Sequence, residues 1–226
     1  MLAQLFCLFN FAIQSTFMSK TNHLDDLMQI RSIMERSTRF LSLSAWAAIL
    51  AGVYALIGAY IGWRIIYRAP VVRYEALTDN LLRPEVLPIL AVALSVLGLS
   101  VGTAIWLSYR KAQRAGQRLW TRAALRVLVN FTIPLVAGGF FIIILYTRQY
   151  YALIAASMLI FYGLALLNAG NFTFSDIRTL GMLEVATGLL AGFFPGKGLY
   201  FWAFGFGLLH IVYGVILYYK YERRTT

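Results

Sequence analysis

The sequence predicts an all-α, polytopic membrane protein. Of the 226 residues, 60% are hydrophobic and only 13% are charged, and the hydrophobic residues fall in long blocks. A soluble domain of this size could not bury so much apolar surface. A membrane-crossing helix needs about 20 predominantly apolar residues. Six blocks reach or approach that length, namely 40–67, 86–109, 127–147, 150–167, 175–194 and 199–219.

The chain opens with a hydrophobic segment, 1–17, that has no basic region at its start and no small-residue cleavage site. These features make it a poor signal peptide. Two explanations stay open. Either the segment is an extension from an upstream start, with translation beginning at Met18, or it dips briefly into the membrane.

Residues 18–39 are expected to form an amphipathic helix at the cytoplasmic face. Asn22 can cap it, and Asp25 and Asp26 in its first turn suit the helix dipole. Its apolar residues follow helical spacing. This helix either lies at the membrane interface or docks a soluble partner or a second copy of the chain.

The 40–219 region is expected to be a six-helix transmembrane domain, and its first span is rich in small residues. Such residues let neighbouring membrane helices approach closely. They are Gly52, Ala55, Gly58, Ala59 and Gly62.

Basic residues fix the expected orientation. The loop after the second span carries a basic cluster without a single acid, and such loops stay on the cytoplasmic side. Both termini then lie in the cytoplasm, including the basic tail 220–226. The net charge of +11 therefore indicates orientation and contact with anionic lipid headgroups or a protein partner, and no nucleic-acid partner is expected. The cluster is Arg110, Lys111, Arg114, Arg118, Arg122 and Arg126.

The fifth block, 175–194, reaches spanning length only if Asp176, Arg178 and Glu184 are included. Ser175 or Asp176 can cap this helix. Asp176 and Arg178 either serve as cap and interfacial arginine or line an entrance toward Glu184. Asn130, four residues before Pro134, is a further polar candidate because it can bond either carbonyls that the proline frees or a neighbouring helix.

Glu184 and His210 are the sharpest functional candidates. Glu184 lies thirteen residues before Lys197 in the turn between the last two spans, and His210 lies thirteen residues after it. In an antiparallel hairpin, equal distances from the turn give equal depth. Because ionisable groups inside a membrane cost about 2.5–3.5 kcal/mol each, the two are predicted to form an intramembrane polar pair. It is either a clamp between helices or a proton or ligand site.

Several glycines lie near the two residues of this pair. Gly188 and Gly192 follow Glu184, and Gly205, Gly207 and Gly214 surround His210, which predicts close packing between the fifth and sixth spans.

A faint internal similarity relates the last two hairpins. The segment 161–167, FYGLALL, is similar to 212–218, VYGVILY. The echo indicates either duplicated hairpins or chance similarity.

Motifs of enzymes are missing from the sequence. It has no HExxH zinc motif, no GxSxG elbow and no phosphate-binding loop. One cysteine excludes an intrachain disulfide, and two histidines, one of them in the N-terminal segment, exclude an intrachain bis-histidine haem. No catalytic residue, metal or cofactor is expected, and the enzyme hypothesis is the weakest one.

Residues 28–44, MQIRSIMERSTRFLSLS, running into 51–60, AGVYALIGAY, resemble the opening of a family of uncharacterised bacterial multi-pass membrane proteins. The resemblance implies a location in the bacterial inner membrane and adds no catalytic residue. It suits Met18 as the start.

These observations favour a non-enzymatic integral membrane protein. It would act as a sensor or a partner-binding subunit through its cytoplasmic face. The alternative is a small transporter or proton-coupled channel that uses Glu184 and His210. The transporter hypothesis requires a water-accessible opening to Glu184.

Overall fold

The computed structural model describes residues 44–68, 87–114, 116 and 120–223. The predictions for the N-terminal extension 1–17, the amphipathic helix 18–39 and Arg118 lie outside these residues, as does most of the resembling segment 28–44. All described residues belong to one compact unit, Phe40–Thr226.

The described chain is helical and contains no strand. Five helices are α1 (Ala45–Trp63), α2 (Leu87–Arg114), α3 (Arg122–Thr147), α4 (Ile154–Ala169) and α5 (Ser175–Phe193). The sixth, α6 (Gly198–Glu222), is continuous but changes winding. It is α-helical over Gly198–Trp202 and His210–Leu217 and π-helical over Ala203–Leu209 and Tyr218–Glu222.

Among the described residues, five helices are long and apolar enough to cross a membrane. They are α1, α2, α3, α6 and α4 with its flanking 3-10 turns. The expected all-helical fold is therefore confirmed over the described residues, and the five candidate spans are consistent with a membrane protein. The fifth helix, α5, is not among the five, and it holds the three charged residues that block 175–194 must include to reach spanning length.

Two antiparallel helix pairs form the centre, and glycines bring their backbones together. In the pair α4–α5, a Cβ added to Gly163 would lie 2.7 Å from the carbonyl oxygen of Gly181. In the pair α1–α6, a Cβ added to Gly52 would lie 2.6 Å from the carbonyl oxygen of Gly207. The small residues expected to pack in the first span are all buried. Close backbone approach of this kind stabilises helix pairs in lipid, where no hydrophobic force drives association.

The helices α2 and α3 lie at the periphery. The first packs on α1 and the second on α4. Large apolar side chains point outward along both, for example Leu94 at 58% exposure and Phe140 at 65%. Since a soluble protein rarely exposes continuous apolar surfaces of this extent, these faces are suited to contact with lipid.

Charged contacts join four helix ends at one end of the bundle. Glu222, near the end of α6, accepts hydrogen bonds from the backbone N–H of Ala45 (3.1 Å) and from Lys111 Nζ (2.7 Å). Asp176, in the first turn of α5, accepts hydrogen bonds from Lys220 and from Tyr221. The start of α1, the end of α2, the start of α5 and the end of α6 therefore lie together. We call this the charged end.

Candidate functional site

The structure brings Glu184 and His210 together in the interior. Glu184 Oε1 lies 3.3 Å from His210 Nδ1. Glu184 is 0% exposed and His210 is 5% exposed. Glu184 is the central residue of α5, nine residues from either bound (184 − 175 = 193 − 184). His210 is the central residue of α6 (210 − 198 = 222 − 210). The equal depth expected from the hairpin is thus present in the fold.

His210 is held by two hydrogen bonds. Its Nδ1 lies 3.1 Å from the carbonyl oxygen of Gly205, and its Nε2 lies 2.7 Å from the hydroxyl of Tyr162 on α4. A carbonyl oxygen only accepts, so Nδ1 carries a hydrogen and donates. In the neutral ring, Nε2 then accepts from the tyrosine. In the protonated ring, Nε2 donates to the same hydroxyl. Rotation of one hydroxyl therefore accommodates both charge states of His210.

The Glu184 carboxyl group is closely packed but lacks hydrogen bonds. Within the described part of the chain, neither of its oxygens has a hydrogen-bond partner. The 3.3 Å contact with Nδ1 is an electrostatic contact, because the hydrogen on that nitrogen is directed at the Gly205 carbonyl. The other oxygen lies against Gly205, where an added Cβ would be 2.6 Å from Oε2. The absence of a side chain at Gly205 leaves room for the carboxyl group.

Burial restricts the charge of the pair. A lone charge in this environment would lack both water and a counter-charge, which costs several kcal/mol. The pair is therefore stable when its net charge is zero, either as carboxylic acid with neutral imidazole or as carboxylate with imidazolium. Both arrangements hold the same number of protons on the Glu184–His210 pair, so both have a net charge of zero.

The π-helical segment Ala203–Leu209 positions the histidine. It directly precedes His210, and it contains Gly205 and Gly207, which weaken regular α-helix. Single π-helical turns inside α-helices are frequent at functional sites. The segment also carries Phe206, whose ring centroid lies 4.9 Å from that of Tyr162. This aromatic contact fixes the tyrosine that bonds Nε2.

The three supporting polar candidates do not join the pair. Asn130 bonds its own helix, with Nδ2 2.8 Å from the carbonyl oxygen of Arg126. Asp176 lies at the charged end, about 12 Å along α5 from Glu184 because eight residues separate them. Arg178 is exposed, and its stem packs against Gly170. The expected cap is wrong, since Phe174 occupies the N-cap of α5 without a side-chain hydrogen bond.

The basic cluster is carried mainly by helix ends instead of a loop. The helix α2 continues past the expected boundary to Arg114, and α3 begins at Arg122. Arg110 stacks over the ring of Trp106 at 4.8 Å, whereas Lys111 pairs with Glu222. The three remaining described members are exposed, namely Arg114, Arg122 and Arg126.

Most of the glycines near the pair do not pack between α5 and α6 as expected. Gly188 packs on α4, and Gly207 and Gly214 pack on α1. Gly192 has nothing within 4 Å of an added Cβ. Among these glycines only Gly205 faces Glu184. The helices α5 and α6 also meet at the charged end, where Asp176 bonds Lys220 and Tyr221.

Sequence reasoning missed Tyr162 and Glu222. The echoed segments contained a signal for the first, because Tyr162 and Tyr213 occupy equivalent positions in them. Both tyrosines pack on the same cluster of buried residues. The role of Glu222 is visible only in the structure, because its partners Ala45 and Lys111 lie 177 and 111 positions away in the sequence.

Over its described residues, the chain is an all-helical protein with five candidate membrane spans and a buried acid–imidazole–tyrosine cluster. Among the described residues, no group of three His, Cys, Asp or Glu side chains could share a metal ion. Comparison of the chain with protein families, curated proteins and solved structures gave no match.

Proposed function

We propose that this protein is a non-enzymatic sensor of proton activity in the bacterial inner membrane. The Glu184–His210 pair would be the sensing element, and the charged end with its basic cluster would be the output surface. The observation that carries the proposal is the sealed 3.3 Å contact between two ionisable groups at the centres of α5 and α6. Such groups inside a membrane domain mark functional sites.

The sensing step follows from the charge restriction on the pair. The titratable side chains around Glu184 are His210 on α6 and Tyr162 on α4. Acidification adds a proton to the neutral pair and leaves an imidazolium beside an uncharged carboxyl group. That single buried charge destabilises the sealed packing. The contact between α5 and α6 around the pair is the point at which the two helices would separate.

One helix links the pair to the output surface. His210 and Glu222 are both on α6, twelve residues or about 18 Å apart. Glu222 holds the first N–H of α1 and the Lys111 side chain. A displacement of α6 therefore alters the charged end, where anionic lipids or a soluble partner could detect the change.

We further propose six spans, with α5 crossing the membrane and both termini in the cytoplasm. Nineteen residues give α5 a length of about 28 Å, close to the thickness of the hydrocarbon core. Its three charges are compatible with crossing, since Asp176 and Arg178 lie near one end and Glu184 is buried against His210. The basic residues near the charged end support its placement on the cytoplasmic side.

The burial of Glu184 favours the sensor hypothesis over the transporter hypothesis. A transporter needs an opening that leads water or substrate to Glu184, and this residue is 0% exposed. The same burial is suited to a sensor, which needs a change of state and no conducting path.

Tryptophan fluorescence tests the proposal. Trp46 contacts Tyr218 at the charged end, with ring centroids 5.9 Å apart. A variant that retains Trp46 as its only tryptophan, reconstituted in lipid nanodiscs, should show a pH-dependent emission change. Glu184→Gln should abolish this change. Thr187→Val is the matched control, because Thr187 lies one turn away and its hydroxyl bonds only the carbonyl of Leu183. An emission change that survives in Glu184→Gln would disprove the proposal.

A further inference from the structure

Three exposed residues follow one another at four-residue steps along the last turns of α2. They are Trp106, Arg110 and Arg114, the last of which ends the helix. Residues four apart on an α-helix share a face, so one indole ring and two guanidinium groups lie in a row. The ring is 54% exposed, and Arg110 Cζ lies 4.8 Å from its centroid. We call these three residues the Trp–Arg face.

The end of α6 has a similar arrangement. Tyr219 is 58% exposed, and Arg223, four residues further on, has its Cζ 5.6 Å from the ring centroid. The two helix ends are in contact, since Lys111 Nζ on α2 is 2.7 Å from Oε1 of Glu222 on α6. Two helices that meet at the charged end therefore each present an arginine stacked on an exposed aromatic ring.

The arginines of the Trp–Arg face are not neutralised by the described part of the chain. Neither of them forms an ion pair with a described carboxylate. The two described carboxyl groups at this end are bound elsewhere, Asp176 by Lys220 and Tyr221, and Glu222 by Lys111 and the first N–H of α1. The Trp–Arg face therefore offers two guanidinium groups to an anion from outside these residues.

A phosphate group is suited to two arginines in this arrangement. Guanidinium groups bind phosphate oxygens through paired N–H donors. Four residues correspond to about 6 Å along an α-helix, so the long side chains of Arg110 and Arg114 can converge on one phosphate. Arg110 is also oriented by its stacking on Trp106, which reduces the freedom that it loses on binding.

The surroundings of the Trp–Arg face favour a lipid over a soluble anion. The surface of α2 that precedes Trp106 is exposed and apolar, with Leu99 at 55% and Ile105 at 52% exposure. Tryptophan and tyrosine are enriched where the hydrocarbon core of a bilayer meets the headgroups. A phospholipid supplies a phosphate for the arginines and acyl chains for the apolar surface, whereas an acidic soluble partner supplies only the anion.

We propose that the Trp–Arg face binds the headgroup of an anionic phospholipid, with Arg110 and Arg114 on the phosphate and the Trp106 ring at the boundary with the acyl chains. This inference rests on the proposed function for the role of the charged end, and it names the partner of that output surface. Phosphatidylcholine has the same phosphate, but its ammonium group is repelled by the neighbouring cations. The face therefore selects lipids of net negative charge.

Fluorescence quenching by brominated lipids tests the inference. A variant that retains Trp106 as its only tryptophan is placed in phosphatidylcholine nanodiscs at constant pH, with a fixed minor share of the lipid brominated. Brominated phosphatidylglycerol should bind near Trp106 about fivefold more strongly than brominated phosphatidylcholine, as expected for one basic residue beside an anionic headgroup. Replacing Arg110→Gln and Arg114→Gln together should make the two lipids equivalent. Arg148→Gln, an exposed arginine at the far end of α3, is the matched control and should keep the preference.

Native mass spectrometry provides a second readout with all tryptophans in place. The unmodified protein and Arg148→Gln should retain phosphatidylglycerol in preference to phosphatidylcholine, and the double variant should not. Equal retention and equal quenching of the two lipids would overturn the lipid site and favour a soluble acidic partner. A preference that survives in the double variant would contradict the assignment to the Trp–Arg face. Loss of the preference with inorganic phosphate, but not with sodium chloride of equal ionic strength, would assign the site to free phosphate.

The lipid site and the proton sensor fail separately. The lipid preference is measured at constant pH, so its absence leaves the pH-dependent emission of Trp46 untouched. An emission of Trp46 that does not respond to pH, with the lipid preference intact, would overturn the sensor and retain the lipid site.

Discussion

The glycine contacts between α4 and α5 lead to a prediction that two neighbouring positions can test. Gly188 and Gly192 are four residues apart on α5, and the sequence assigns them the same role. In the structure, a Cβ added to Gly188 would lie 2.8 Å from the carbonyl oxygen of Ala156 and 2.9 Å from the backbone nitrogen of Ile160. An added Cβ at Gly192 would have nothing within 4 Å.

The magnitudes follow from these distances. Both contacts at Gly188 are with backbone atoms, which cannot rotate away, so Gly188→Ala must push α4 and α5 apart. Overpacking of this kind costs about 1–3 kcal/mol. Gly192→Ala meets no obstacle and replaces a poor helix former by a good one, which stabilises a helix by up to about 1 kcal/mol. The two variants should therefore differ by about 1–4 kcal/mol in the free energy of unfolding.

The assay is unfolding by sodium dodecyl sulfate in mixed micelles, followed by far-ultraviolet circular dichroism. The two substitutions add the same methyl group to the same helix, so each is the control for the other. Equal effects on the unfolding midpoint, or a larger loss for Gly192→Ala, would show that α4 and α5 do not pack through Gly188.

Three further predictions concern the polar groups and use the same unfolding assay. Tyr162→Phe should cost about 1–3 kcal/mol, because Nε2 of the buried histidine loses its hydrogen bond, whereas the exposed control Tyr219→Phe should cost almost nothing. His210→Leu should cost about 3–5 kcal/mol because Glu184 is left alone, and adding Glu184→Leu should recover part of that loss. Additive costs in the double variant would contradict a direct pairing. Glu222→Gln should cost about 1 kcal/mol, less in high salt, because a partly exposed ion pair and the cap of α1 are weakened. A loss that is independent of salt would contradict this electrostatic origin.

The three predictions on polar groups all concern residues of α6 or a residue that bonds one of them. The helix α6 supplies the histidine of the pair and, at the charged end, Lys220 and Glu222, and it packs on both α1 and α5. Its two π-helical segments flank the α-helical stretch from His210 to Leu217. Short π-helical turns inside α-helices are frequent at functional sites, which suits the helix that carries His210.

The helices and their positions along the chain could be predicted from the sequence. Apolar blocks fixed where most helices lie, and counting outward from Lys197 placed Glu184 and His210 at equal depth. The boundaries were less accurate at α2 and α3, because the basic residues at their ends continue the helix beyond the apolar block. The charges within block 175–194 likewise marked α5 as the exceptional helix.

Rotation about each helix axis was decided only by the tertiary structure. In water, an apolar stripe shows which face of a helix is buried. In a membrane helix both faces are apolar, since lipid and neighbouring helices accept the same residues, and the stripe disappears. The sequence therefore determined that an acid and an imidazole lie at one depth in the helical bundle. Packing of glycines against distant backbones determined that they touch, that Tyr162 completes the cluster, and that Gly188 faces α4 instead of His210.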